Sequence, residues 1–114
     1  MTEIYHLCKF DDVPENGARS FTVETSRHPL DIFLVKKDGN IYGYLNSCPH
    51  MRVNLNWKPD EFHDYTGEFL QCTFHGAIFR IEDGYCTHGP CVGQSLQPLT
   101  IQNQKGELSL VLKS

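Results

Sequence analysis

Two short stretches of this sequence each combine a cysteine and a histidine at a spacing suited to metal binding. The first is Cys48-Pro49-His50, and the second is Cys72-Thr73-Phe74-His75. A thiolate and an imidazole this close together in a loop can both reach one metal centre. The four groups follow the order Cys, His, Cys, His, whereas the common zinc-finger order places both cysteines first. The alternating order favours two metal atoms over one, with both cysteines on one atom and both histidines on the other.

The two stretches, together with a later Gly89-Pro90 loop, resemble the signature of a stand-alone Rieske-type [2Fe–2S] ferredoxin. In a Rieske cluster two histidines replace two cysteines on one of the two irons. The resemblance implies one [2Fe–2S] cluster, held by Cys48, His50, Cys72 and His75. It also implies that the two histidines form the exposed tip through which electrons leave.

The resemblance extends to residues around the cluster, namely Pro49, Gly76, Ala77, Phe79, Gly89 and Pro90. Gly76, which has no Cβ, is expected to let the backbone approach the cluster and to point its N–H at a sulfide. The Gly89-Pro90 loop is expected to cover the cluster and restrict water. High-potential Rieske proteins carry a serine at the position of Ala77 and a tyrosine at that of Phe79, and both hydroxyls donate to sulfur. Their loss lowers the reduction potential, which we therefore predict at about −150 mV or below.

The spacing of apolar residues predicts an all-β protein. A chain of 114 residues suffices for one domain, over residues 1–114. Alternating or β-branched runs separated by Gly-containing turns predict several short strands, and no useful helical period is present. The predicted strands are 3–10, 20–24, 31–36, 41–45, 77–81, 99–102 and 108–112. The family resemblance arranges them as an antiparallel β-sandwich base with a small cluster-binding lobe, about 46–91, inserted between its strands.

Composition argues against several partners. The net charge is −4, and no basic cluster suggests nucleic-acid binding. No apolar run is long enough to span a bilayer, and the first residues lack the features of a secretory signal. We therefore expect a soluble cytoplasmic monomer that binds neither nucleic acid nor membrane.

The remaining cysteines and histidines are given ordinary structural roles. Cys8 is expected to be a small buried hydrophobe in the first strand. In a reducing cytosol Cys86 and Cys91 are expected to be thiols in preference to a disulfide. The histidines outside the ligand boxes are expected to be exposed or hydrogen-bonded in the core; they are His6, His28, His63 and His88.

The spacer between the ligand boxes is longer than expected for a compact ferredoxin. The extra length lies in residues 57–67. A tolerated surface insertion is one interpretation. The other is a partner-docking loop, because Trp57, Phe62 and Tyr65 are of the types that anchor interfaces.

The resemblance implies a one-electron carrier that passes electrons from a reductase to a terminal oxygenase or similar oxidoreductase. Catalysis by this chain alone is not expected, because both irons of such a cluster are fully ligated and no catalytic position is open. One alternative is a cluster-bearing subunit of a larger oxidoreductase, similar to the small subunit of some nitrite reductases. The others are a structural zinc module and a redox sensor that uses Cys86 and Cys91.

Overall fold

The computed structural model describes residues 2–26, 28–47, 55, 62–64, 66–72 and 76–113. Within these ranges the chain forms nine β-strands and a single turn of 3-10 helix, Phe10–Asp12. The strands are β1 Thr2–Lys9, β2 Ala18–Glu24, β3 Pro29–Lys37, β4 Asn40–Leu45, β5 Phe69–Gln71, β6 Ile78–Arg80, β7 Cys86–His88, β8 Pro98–Gln104 and β9 Glu107–Lys113. No helix in this described part of the chain is long and apolar enough to cross a membrane.

The strands form two antiparallel sheets. Six strands make the larger sheet in the order β1-β9-β8-β4-β3-β2, and β5, β6 and β7 make the smaller one. All three strands of the small sheet fall within the range predicted for the inserted lobe. The larger sheet is continuous past the lobe, because β4 pairs directly with β8 through Gly43–Leu99 and Tyr44–Pro98.

Local turn chemistry explains the two best-defined hairpins of the larger sheet. Asp38 and Gly39 both have positive φ, +53° and +76°, as the tight turn between β3 and β4 requires. Lys105 and Gly106 have φ of +54° and +83° between β8 and β9. The Asp-Gly signal therefore places the β3–β4 hairpin, and β4 ends three residues before Cys48.

The larger sheet packs its two halves against each other, which gives the β-sandwich base. Val23 of β2, Ile32 of β3 and Leu110 of β9 meet in one buried cluster. A neighbouring cluster joins Cys8 of β1 with Leu34 of β3, together with Val13 and Leu108. Cys8 is 6% exposed, and burial raises the pKa of its thiol. The prediction that Cys8 is a small buried hydrophobe is confirmed.

A third buried cluster joins the base to the small sheet. The base contributes Ala18, Phe33, Val35 and Tyr44. The other side contributes Leu55, Phe62, Leu70, Cys72, Ala77, Phe79, Ile81, Cys86, Cys91 and Leu96. The Tyr44 hydroxyl donates a buried hydrogen bond to the carbonyl of Ile81 at 2.5 Å, so a polar contact fixes the two parts as well.

All seven strands predicted from the sequence are present, and no end differs by more than two residues. Leu108 and Leu110 of the last strand are both fully buried. The sequence pattern missed β5 and β7. Each has only three residues, too few for a period-two pattern to stand out.

Candidate metal centre

Cys72 lies at the start of the hairpin loop between β5 and β6. The two strands pair as Phe69–Arg80, Leu70–Phe79 and Gln71–Ile78, so residues 72–77 form the connection. The Cys72 N–H donates to the Ala77 carbonyl at 2.9 Å, which closes the base of the loop. Cys72 is fully buried. The second predicted ligand box is thus a short loop with its cysteine turned into the core, whereas Thr73, Phe74 and His75 lie outside the described residues.

Gly76 ends this loop in a conformation that favours glycine. Its φ is +69°, a region that residues with a side chain adopt at a cost. The Gly76 N–H donates to the Cys72 carbonyl at 2.9 Å. In this structure the N–H therefore bonds to the backbone of its own loop, and its contact with a cluster sulfide stays a prediction. Close approach of Gly76 to the cluster stays a prediction.

The first ligand box follows β4. Cys48, Pro49 and His50 lie outside the described residues. The segment that leads to them is well held, because the Asn46 N–H donates to the Asp31 carbonyl at 2.8 Å. The Asn46 side chain also accepts a hydrogen bond from the Leu55 N–H at 2.8 Å, so it joins the two sides of the segment that contains the first box.

Ala77 and Phe79 line the core directly after the second box. Both side chains are fully buried. Neither carries a hydrogen-bond donor, so the two hydroxyls of high-potential relatives have no counterpart at these positions. The low potential predicted from the sequence stays a prediction.

The Gly89-Pro90 loop rests on the backbone of Ala77. A Cβ built on Gly89 would lie 2.7 Å from Ala77 Cα and 3.2 Å from Ala77 N. Only a residue without a side chain permits so close an approach. Pro90 is exposed on the outer side of the loop. The loop therefore covers Ala77, whose carbonyl accepts the Cys72 N–H. That the loop also covers the cluster stays a prediction.

Phe62 does not act as an exposed docking anchor. It is fully buried, and its ring stacks on Phe33 of β3 with the centroids 4.1 Å apart and the planes 12° from parallel. The docking-loop interpretation is wrong for Phe62, and Trp57 and Tyr65 lie outside the described residues. The sequence did not predict that Phe62 belongs to the core, because an aromatic residue in a polar stretch suits an interface and a core equally well.

Three of the remaining histidines are exposed, as expected. His6 pairs with Glu107 at 2.7 Å, and a His28 ring nitrogen lies 3.0 Å from the Pro29 carbonyl. His88 Nδ1 lies 2.9 Å from the Thr87 hydroxyl.

His63 differs from the expectation of an exposed or satisfied histidine. Its Nε2 is buried and has no hydrogen-bond partner among the described residues. Desolvation by burial lowers its pKa, and the nearby Asp64 opposes that shift. The neutral imidazole is therefore the form that this site favours.

Comparison with known proteins decides the family. The model of the Rieske [2Fe–2S] domain matches residues 3–105. The chain belongs to the Rieske [2Fe–2S] domain family. The matched range contains both ligand boxes and the Gly89-Pro90 loop. No match to this chain is found among curated proteins.

Solved structures similar to this chain include components of carbazole 1,9a-dioxygenase. One is a complex of its oxygenase and ferredoxin, with a TM-score of 0.77 and 21% identity over 95% of this chain and 28% of the matched chain. Another is the terminal oxygenase from Novosphingobium sp. KA1, with a TM-score of 0.76 and 20% identity over 95% of this chain and 29% of that one.

A third is the complex of reduced oxygenase and oxidized ferredoxin, with a TM-score of 0.72 and 19% identity over 94% of this chain and 91% of that one. At these identities the likeness shows the fold. The chain spans less than a third of the first matched chain.

The residues present fit a Rieske [2Fe–2S] cluster. Two cysteines and two histidines are the donor set of a cluster with mixed ligands. Cys72, the donor that the structure describes, is fully buried among apolar side chains, in a loop closed by its own backbone hydrogen bonds. A buried thiolate without a metal would be costly, so this environment suits a cysteine whose charge is neutralised by iron.

Proposed function

We propose that this Rieske protein is a one-electron carrier whose cluster is held by Cys48, His50, Cys72 and His75. The observation that supports the proposal is the family match, because residues 3–105 include all four of these residues. When bound, a Rieske [2Fe–2S] cluster accepts and releases single electrons, and its two neutral imidazoles raise the potential above that of plant-type ferredoxins.

The protein's own residues support this role by exclusion of water and by position. Cys72 is held on both sides by backbone hydrogen bonds, to Ala77 and from Gly76. Ala77 and Phe79 are buried in the same apolar cluster as Cys72, and their side chains offer no donor to sulfur. A low potential follows, since each such donor would stabilise the more negative reduced state.

The proposed partners are redox proteins: a reductase that supplies the electron, and an oxygenase or similar oxidoreductase that receives it. The support is a fold shared with structures described as oxygenase–ferredoxin complexes. The two predicted histidine ligands would face these partners. The chain itself would bind no substrate, and we propose that it has no catalytic activity of its own.

A cluster-bearing part of a larger oxidoreductase is the second candidate. One observation favours it: most of this chain matches only 28% of a longer chain. The same domain can therefore exist inside a larger assembly. Co-purification with one large partner would favour this candidate, and isolation as a monomer that several reductases reduce would favour the carrier.

The test is electron paramagnetic resonance of the anaerobically purified, dithionite-reduced protein, with iron and zinc measured on the same sample. We expect about two irons per chain and a rhombic signal with an average g value below that of the free electron. Cys72→Ala should abolish both, whereas Cys8→Ala, which changes a buried cysteine of the base, should retain them. One zinc per chain with no iron would contradict the proposal and support the structural zinc module.

A further inference from the structure

Two cysteines that the proposed cluster does not use lie side by side in the core. The sulfur of Cys91 is 3.1 Å from that of Cys86, and the two side chains are 2% and 0% exposed. Cys86 begins β7, and Cys91 lies in the turn that follows it. No disulfide joins them in this structure.

The backbone around the pair holds the two sulfurs together. The Cys86 N–H donates to the Gln94 carbonyl, and the Gln94 N–H donates to the Cys91 carbonyl, both at 2.9 Å. The backbone of Gln94 therefore holds both Cys86 and Cys91 through hydrogen bonds. The sulfurs need to approach by only roughly 1 Å to reach the length of a disulfide bond, a shift that small side-chain rotations can provide.

The loop that these cysteines bracket is the one that contacts Ala77 and Ile78. Its Gly89 lies against the Ala77 backbone, and its Thr87 hydroxyl donates to the Ile78 carbonyl at 3.4 Å. Ala77 in turn accepts the N–H of Cys72 at 2.9 Å. A bond between the two sulfurs would therefore close a ring whose far side touches the ligand loop.

We propose that Cys86 and Cys91 are a reversible dithiol–disulfide pair that fastens the Gly89-Pro90 loop against the backbone of Ala77. This inference does not depend on which redox partner the protein serves. It adds a two-electron thiol site beside the one-electron site proposed above.

The oxidant is a disulfide, RSSR, of a small molecule or another protein. Cys91 is buried, but its neighbours Pro90 and Val92 are exposed, so a local opening of this turn lets the Cys91 thiolate attack one sulfur of RSSR. A mixed disulfide forms and one RS⁻ leaves. The thiolate of Cys86 then attacks the Cys91 sulfur, the Cys86–Cys91 bond forms, and the second RS⁻ leaves. The two protons lost by the protein thiols convert both RS⁻ to RSH, so the pair loses two electrons and RSSR gains them.

The test is to equilibrate the cluster-containing protein anaerobically in mixtures of oxidised and reduced dithiothreitol, quench with acid, alkylate the remaining thiols and digest with trypsin. Residues 81–105 form a single tryptic peptide that contains Cys86 and Cys91 and no other cysteine. We expect this peptide to change from doubly alkylated to unalkylated and lighter by two hydrogen atoms as the oxidised fraction rises. Excess reduced dithiothreitol should restore the doubly alkylated form.

Iron release to a chelator is the second measurement. The oxidised wild type should release iron several-fold more slowly than the reduced wild type. Cys91→Ala should show no such difference, and Cys8→Ala should behave as the wild type. A peptide that stays doubly alkylated at every ratio would overturn the proposal, and that result needs no variant. If the oxidised and reduced wild type released iron at equal rates, and the disulfide had been shown to form, the proposal that it fastens the loop would be overturned. Neither outcome affects the iron content or the resonance signal, so failure here is distinct from failure of the proposed electron carrier.

Discussion

The close approach of the Gly89-Pro90 loop to the ligand segment can be tested with two glycines of the same stretch. Gly89 and Gly93 have nearly equal positive φ, +99° and +94°. A Cβ on Gly89 would lie 2.7 Å from Ala77 Cα, whereas a Cβ on Gly93 would meet no atom within 4 Å among the described residues. Alanine at either position therefore introduces the same backbone strain, but only Gly89→Ala adds a collision with backbone.

The two contributions have different magnitudes and can be separated. A side chain at a strained positive φ costs about 1–3 kcal/mol. Overpacking that forces the backbone to move costs about another 1–3 kcal/mol. Gly93→Ala should show the first cost alone, and Gly89→Ala should show both. The difference between the variants, about 1–3 kcal/mol, measures the contact with Ala77.

Urea unfolding of both variants is the assay, followed in parallel by far-ultraviolet circular dichroism and by the visible absorption of the cluster. With an m-value of about 2 kcal/mol/M, the Gly89→Ala midpoint should lie roughly 0.5–1.5 M below that of Gly93→Ala. The visible absorption of Gly89→Ala should also disappear before the circular dichroism does, because the loop lies against the ligand segment. Equal midpoints for the two variants would refute the close approach.

Three further outcomes are expected. A redox titration should give a midpoint below 0 mV, because Ala77 and Phe79 offer no hydrogen bond to sulfur, and a midpoint well above 0 mV would contradict that account. Tyr44→Phe should lower the free energy of unfolding by about 1–3 kcal/mol, since it leaves the buried carbonyl of Ile81 without its donor; an unchanged urea midpoint would show that water replaces the hydroxyl. Burial lowers the pKa of His63 in the folded state below 6.5, so its contribution to stability is fully present above pH 6.5 and is lost as the pH falls from there to the folded pKa. The stability of His63→Gln should therefore depend less on pH as the pH falls below 6.5, and a stability–pH curve parallel to that of the wild type would exclude this role.

The sequence predicts those parts of the fold that rest on local signals. The β3–β4 hairpin follows from its Asp38-Gly39 turn, and β9 follows from leucines at every second position. The family resemblance rests on ligand spacing, a local property as well. The family match confirms it over residues 3–105.

The features that the sequence does not predict depend on contacts between distant segments. The stacking of Phe62 on Phe33 requires the lobe to fold back on the base, which no local pattern encodes. The contact between Cys86 and Cys91 depends on a loop conformation fixed through Gln94.

Because β4 pairs with β8, the segment between these two strands could be exchanged without interrupting the larger sheet. The two strands are antiparallel neighbours, and the Leu45 N–H donates to the Gln97 carbonyl at 3.0 Å, so the chain leaves and re-enters the larger sheet at adjacent points. A two- to five-residue hairpin turn could close that gap in place of the intervening segment. The shortened protein would need polar substitutions at Phe33 and Tyr44, which the segment now covers. Ligand loops of other metal sites could be grafted at the same junction, and the six-stranded sheet would serve as a common scaffold for them.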